Sequence, residues 1–435
     1  MVISSRGLAQ SAWFALGAVA LGAMGTGLGA CTTDETPAEM GTAGTPSSSG
    51  GASAGTASGG IAGSTTAAGT ATGGTDSAGT SSASGSSSGG ATGGAGGSTS
   101  GGAAGSGGSA PDVSPEGDGD FEIGPNYTKD PNLNDQQKTK GKKFSFSMSS
   151  ANSAIYKGDD ATLSKPANKQ IWNRSITVYV PAAYKDGDEA AVLVIQDGPG
   201  PIDSISRALD NLTGSTDPLK KLPPFVAVAV QNGSDRDGAD GQGSERGLEY
   251  DTMSDRYSRF VDTEVLPAVV ANTQIKAAYP GLKFTRNPEG RGAFGCSSGG
   301  AAALSMGWFV PDLWRRIITY SGTFVDQQNH AQTAEVALFP FGAWEYHTGK
   351  ELIMSNPNKP LRIFLNVNEN DNGKGRPEAD HHDWIVANQR TAADLKAKNY
   401  HYRYVFGKGV GHCAGQVQDA TIAEALSWAW RGYAP

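Results

Sequence analysis

The sequence predicts a doubly wound α/β domain built on a mostly parallel sheet. Two continuous apolar runs, at 191–195 and 225–230, read as strands covered on both faces. Amphipathic stretches with apolar residues at helical spacing alternate with such runs. A short β-like run at 292–295 leads through a glycine-flanked serine into an alanine-rich stretch, a strand–turn–helix signature.

Taken in order, 175–180 alternates apolar and polar residues and ends at Pro181, as a half-buried strand does. The strands at 191–195 and 225–230 follow. Tyr257, Phe260, Val261, Val265, Leu266 and Val269 then mark a helix, capped by Thr252 or Ser254. Strands are expected at 292–295, 317–320, 361–367 and 400–406, and helices at about 385–398, stopped near Asn399, and about 421–431. Strands and helices in this order point to helices on both faces of one sheet.

The ends of the chain are of another kind. Arg6 and an apolar stretch to Leu28 form a secretory signal, and Leu28-Gly29-Ala30-Cys31 resembles a bacterial lipobox. Residues 1–30 are therefore expected to be removed and Cys31 to carry the lipid. Thr32, rather than an aspartate, follows the cysteine, which by likeness to Gram-negative lipoproteins points to the outer membrane, facing periplasm or cell surface. Residues 31–119 read as a tether. From about 41 to 110 they are almost all Gly, Ser, Thr and Ala and cannot bury enough apolar surface to offset ordering. A coil of that length spans about 50 Å. Residues 120–435 then hold one folded domain. The net charge of −8 argues against nucleic acid as a partner.

Gly295-Cys296-Ser297-Ser298-Gly299 fits G-x-S-x-G, where small neighbours let a serine occupy a sharp turn before a helix. Ser297 is the expected nucleophile and the Ser298 N–H an oxyanion donor. Of six histidines, His401 lies in a strand, His381 and His382 precede a helix, and His330 and His347 come before the expected acid. His412 follows a strand through a glycine-rich loop and is the expected base. The loop after 361–367 offers Glu369 and Asp371 to orient it, and Asp371 is preferred because it lies further into the loop. The second oxyanion donor must avoid Pro199 and Pro201, which have no N–H, leaving Gly198, Gly200 or another group; Gly198 is the choice. If Ser297 and His412 meet, Cys296 and Cys413 come together too, as a bridge or as two buried thiols. Trp344 and His347, in the loop-rich stretch before the acid strand, are candidates for a substrate wall, with ordinary packing of an aromatic cluster as the alternative. Asp380-His381-His382-Asp383 could hold a metal, but a solvated helix start is the expectation because no spaced ligand set accompanies it. Neither metal nor organic cofactor is called for.

Around these residues the chain resembles the "Putative esterase" branch of the α/β-hydrolases, which groups enterochelin esterases, esterase D-type enzymes and feruloyl or acetylxylan esterases. The resemblance runs over about 120–435, through Val194-Ile-Gln-Asp-Gly198, Glu249-Tyr-Asp-Thr-Met-Ser-Asp-Arg-Tyr257, Pro288-Glu-Gly-Arg291, the serine motif, Gly342-Ala-Trp-Glu-Tyr-His347, Trp384-Ile-Val-Ala-Asn-Gln389 and Gly411-His412. It implies an α/β-hydrolase fold and the order Ser297, Asp371, His412. Cysteines before the serine and after the histidine are similar to the tannase and fungal feruloyl esterase arrangement, which implies a Cys296–Cys413 disulfide. Ser297 and Asp371 lie too close in sequence for the large lid of those enzymes. The expected activity is ester hydrolysis on a small-molecule or polysaccharide-linked substrate, with acyl transfer to an alcohol or a non-catalytic binding module as alternatives. Membrane contact would be through the lipid anchor alone.

Overall fold

A computed structural model describes residues 116–158, 171–233, 245–328 and 334–435. The signal segment, Cys31, nearly all of the expected tether and His330 lie outside these residues.

The strands are β1 (Gly119–Ile123), β2 (Lys142–Ser149), β3 (Asn173–Val180), β4 (Glu189–Ala190), β5 (Val192–Ile195), β6 (Val226–Val230), β7 (Lys283–Phe284), β8 (Arg291–Cys296), β9 (Arg316–Tyr320), β10 (Arg362–Asn370) and β11 (His401–Gly411). Nine of them form one sheet in the order β1-β11-β10-β9-β8-β5-β6-β3-β2, while β4 pairs with β7. Only β3 runs antiparallel to its neighbours β2 and β6. This is the mostly parallel α/β-hydrolase sheet that the sequence predicts.

Successive side chains of a strand point to opposite faces, and here both faces are buried. Val192, Val194, Val226, Val228, Ile317, Ile363 and Leu365 belong to one core, with the helices at 256–271, Ser298–Phe309 and Trp384–Ala397. Leu193, Ile195, Ala227, Ile318 and Phe364 belong to the other, under the helices Ile202–Leu212 and Gly415–Ala429. Continuous apolar runs are what two covered faces require.

Neither expected cap is at the N-cap position, which Asp255 occupies without a side-chain capping bond; Ser254 Oγ accepts the Arg256 N–H at 3.2 Å from one residue further back. The helix widens to a π turn over Val261–Val265 just ahead of Pro267, which has no N–H for the carbonyl four residues back. The two edge strands of the main sheet and the helix Ile202–Leu212 are among the elements the sequence did not predict. β1 is five residues long, and β2 (Lys-Lys-Phe-Ser-Phe-Ser-Met-Ser) is half solvated, with serine between its apolar residues. The helix Ile202–Leu212 starts at Pro201 with no side-chain cap. Burial of Ile202, Ile205, Leu209 and Leu212, about 1.5–3 kcal/mol each, outweighs that weak start. Upstream of β1, Glu116 Oε2 pairs with Arg362 at 3.0 Å.

Parallel register brings the carboxyl ends of four strands to one edge. Cys296 pairs with Tyr320, Tyr320 with Asn366, and Asn370 with Gly411. Between β9 and β10 the described residues form short helices, among them Ala334–Leu338, Gly342–Tyr346 and Leu352–Ser355.

Candidate active site

Ser297 follows β8 directly and precedes the helix Ser298–Phe309. Its backbone sits at φ 57° and ψ −133°, a conformation costly for a residue with a Cβ. The surroundings hold it there. Its N–H donates to Tyr320 O at 3.0 Å, and its carbonyl accepts the N–H groups of Gly300 at 2.8 Å and Thr323 at 3.1 Å. Glycine is required at Gly295, where the backbone closes in, and Gly299 is closely approached by a side chain. A Cβ on Gly295 would lie 2.0 Å from Gly299 O, and one on Gly299 would lie 2.8 Å from Asp197 Oδ2. Ser298 opens the helix, so its N–H has no intrahelical partner.

At the same edge, His412 Nδ1 and Asp371 Oδ1 are 2.5 Å apart. The carboxylate is buried but well supplied with donors. Oδ1 also accepts the Asn372 N–H at 2.9 Å, and Oδ2 accepts Ser321 Oγ–H at 2.6 Å and the Asn368 N–H at 3.2 Å. This ring of donors fixes the carboxylate, and the carboxylate holds the imidazole by Nδ1, so that Nε2 is the ring nitrogen left for a further partner. Glu369 is engaged elsewhere: its Oε2 accepts the Gly409 N–H at 2.7 Å.

Cys296 and Cys413 form a disulfide with Cα atoms 6.1 Å apart, across a sequence separation of 117. The bond joins the residue before Ser297 to the residue after His412. Within this arrangement Ser297 Oγ lies 3.4 Å from Thr323 Oγ1, and among the described residues no hydrogen bond joins it to the imidazole. The Trp384 ring packs edge-on against His412, centroids 6.0 Å apart at 86°.

A serine on a glycine turn, a histidine held by a buried carboxylate, and both at the carboxyl edge of an α/β-hydrolase sheet match one family model, "Putative esterase", over residues 168–415. The chain belongs to that family. Solved structures similar to this esterase include a ferulic acid esterase (14% identity, TM-score 0.45, covering 67% of this chain and 99% of that one). The enterobactin esterase of Shigella flexneri is similar at 19% identity and TM-score 0.40, covering 67% of this chain. This esterase spans only 59% of the Shigella protein. The BES protein from Bacillus cereus is similar at 13% identity and TM-score 0.39, covering 66% and 94% of the two chains. No curated protein is similar enough in sequence to match.

Three expectations about the esterase's site need correction. Gly198 is not a free oxyanion donor, because its N–H donates to Val230 O at 2.9 Å. The Asp197 N–H is likewise spent, on Tyr250 Oη at 3.0 Å. Between the two prolines, Gly200 remains as an exposed residue with a backbone N–H. Trp344 and His347 do not form an open wall: they are 1% and 6% exposed. His347 Nε2 lies 3.0 Å from Phe324 O and Nδ1 3.0 Å from Thr348 Oγ1. Burial pushes the His347 pKa down from its ordinary 6.5 to about 4, against the opposing bond to Phe324. The helix start at 380–383 is not simply solvated either. Asp383 is buried and caps Ile385 and Val386, and His381 packs on Phe341 and Trp344.

Sequence reading missed Ser321, Thr323 and Trp384. Ser321 Oγ donates to Asp371 and accepts the Cys413 N–H at 3.0 Å, joining the loop of Asp371 to that of His412. The available signal was a Ser-Gly-Thr run immediately after β9, at the same edge as the elbow.

Proposed function

We propose that this esterase is an exported, lipid-anchored serine hydrolase that cleaves carboxylic esters through an acyl-enzyme. The observation that carries the reading is the 2.5 Å contact between His412 Nδ1 and Asp371 Oδ1, at the sheet edge that carries a serine in a left-handed turn. Ser297 Oγ attacks the ester carbonyl while His412 takes its proton, then returns it to the departing alcohol. Asp371 holds the imidazole in the required tautomer and stabilises its cation. The oxyanion is met by the Ser298 N–H, strengthened by the helix start, and by the N–H of Gly200. Water adds to the acyl group by the same base, releasing the acid. The disulfide supports this division of labour by tying the loop of the base to the elbow.

The attachment reading rests on Leu28-Gly29-Ala30-Cys31 and the low-complexity run after it. Among the described residues no helix is long and apolar enough to cross a membrane. Lipid on Cys31 would therefore be the anchor, and Cys31→Ser should move the protein from membrane to soluble fractions. Continued membrane association after signal removal would contradict it. A panel of aryl, acetyl, hydroxycinnamoyl and lactone esters offered to the protein tests the activity. Release of free acid that disappears in Ser297→Ala supports the proposal; undiminished turnover by that variant would defeat it.

A further inference from the structure

We infer that Thr323 is a hydrogen-bond donor to the reacting oxygen of Ser297, set by Trp384, and that it acts chiefly as the acyl group departs. The inference rests on the serine-hydrolase reading above. Thr323 is almost wholly buried, and its Oγ1 has two neighbours: Ser297 Oγ at 3.4 Å and Trp384 Nε1 at 3.2 Å. An indole N–H can only donate, so the threonine oxygen is the acceptor toward Trp384. Its one proton is left for Ser297 Oγ. The backbone is pinned to serve this. The Thr323 N–H donates to Ser297 O, and Asn388 Nδ2 donates to both Gly322 O and Trp384 O at 2.8 Å. Trp384 also packs on His412, so one side chain braces base and donor together.

The two half-reactions use such a donor differently. In acylation Oγ forms its bond to the carbonyl carbon and gives up electron density, so a donor on it gains nothing. In deacylation water bonds to the acyl carbon as His412 takes its proton. The C–Oγ bond then breaks, its electron pair goes to Oγ, and the proton on His412 moves to that oxygen as the carboxylic acid leaves. Charge grows on Oγ in this step, where a fixed O–H stabilises it.

With p-nitrophenyl acetate the aryl group leaves easily, so kcat reports deacylation and kcat/KM acylation. Thr323→Val keeps the shape and the backbone N–H but removes the O–H. It should lower kcat about tenfold and KM with it, leaving kcat/KM within about threefold and a burst of p-nitrophenol intact. Thr323→Ser should restore kcat. Trp384→Phe, which keeps a ring beside His412 but frees the threonine hydroxyl, should lower kcat by a smaller factor with kcat/KM held. Equal loss of kcat and kcat/KM in Thr323→Val, no change in either, or failure of serine to restore kcat would overturn the inference. A wild-type protein that neither releases p-nitrophenol nor takes a fluorophosphonate on Ser297 would instead overturn the serine-hydrolase reading, and this inference with it.

Discussion

Asp371 shows how much chemistry one carboxylate can be made to carry by its neighbours. Four donors converge on it, from His412, Ser321, Asn368 and Asn372, in a site from which water is nearly excluded. Removing its charge should misorient the imidazole. Asp371→Asn is expected to cost about four orders of magnitude in kcat, and Glu369→Gln little, as measured by ester turnover. The reverse ranking would assign the role to Glu369. His347 carries a different consequence, for stability. Its folded pKa lies below its unfolded value, so between about 4 and 6.5 the unfolded chain binds more protons. The contribution is fully present above pH 6.5 and is lost as pH falls toward 4, about 3 kcal/mol in all. Denaturant melts of wild type and His347→Gln should therefore converge as pH drops through that window; parallel pH profiles would contradict it. Ser297 and His412 were legible because their residue types and flanking glycines are local signals. Ser321, Thr323 and Trp384 were not, because they matter through contacts spanning 26 to 92 positions that pattern alone does not encode.

The elements repeat this contrast. The buried parallel strands β5, β6 and β10 were readable because coverage on both faces demands continuous apolar sequence. β2 was not, since its pattern of phenylalanine and serine suits an edge that is half in water. Gly198 was misjudged for a similar reason: whether an N–H is free depends on its neighbour β6, whose Val230 carbonyl takes it. The turn at Ser297 and the loop of His412 are separate elements held by Cys296–Cys413. A cross-link closing a loop of this length restricts the unfolded chain by about 4–5 kcal/mol on the chain-entropy model. The double variant Cys296→Ala, Cys413→Ala should therefore unfold at markedly lower urea than the oxidised wild type. An unchanged midpoint would show that the bond constrains little.

Across the whole molecule, sheet order is what assembles the site. Parallel register sets the ends of β8, β9, β10 and β11 at one edge, so Ser297, Ser321, Asp371 and His412 arrive from four different loops. The central claim is that Ser297 forms the acyl-enzyme, and covalent labelling tests it most directly. A fluorophosphonate probe followed by peptide mapping should place a single adduct on Ser297, absent from Ser297→Ala and slowed in Asp371→Asn. An adduct on another residue, or undiminished labelling of Ser297→Ala, would contradict it.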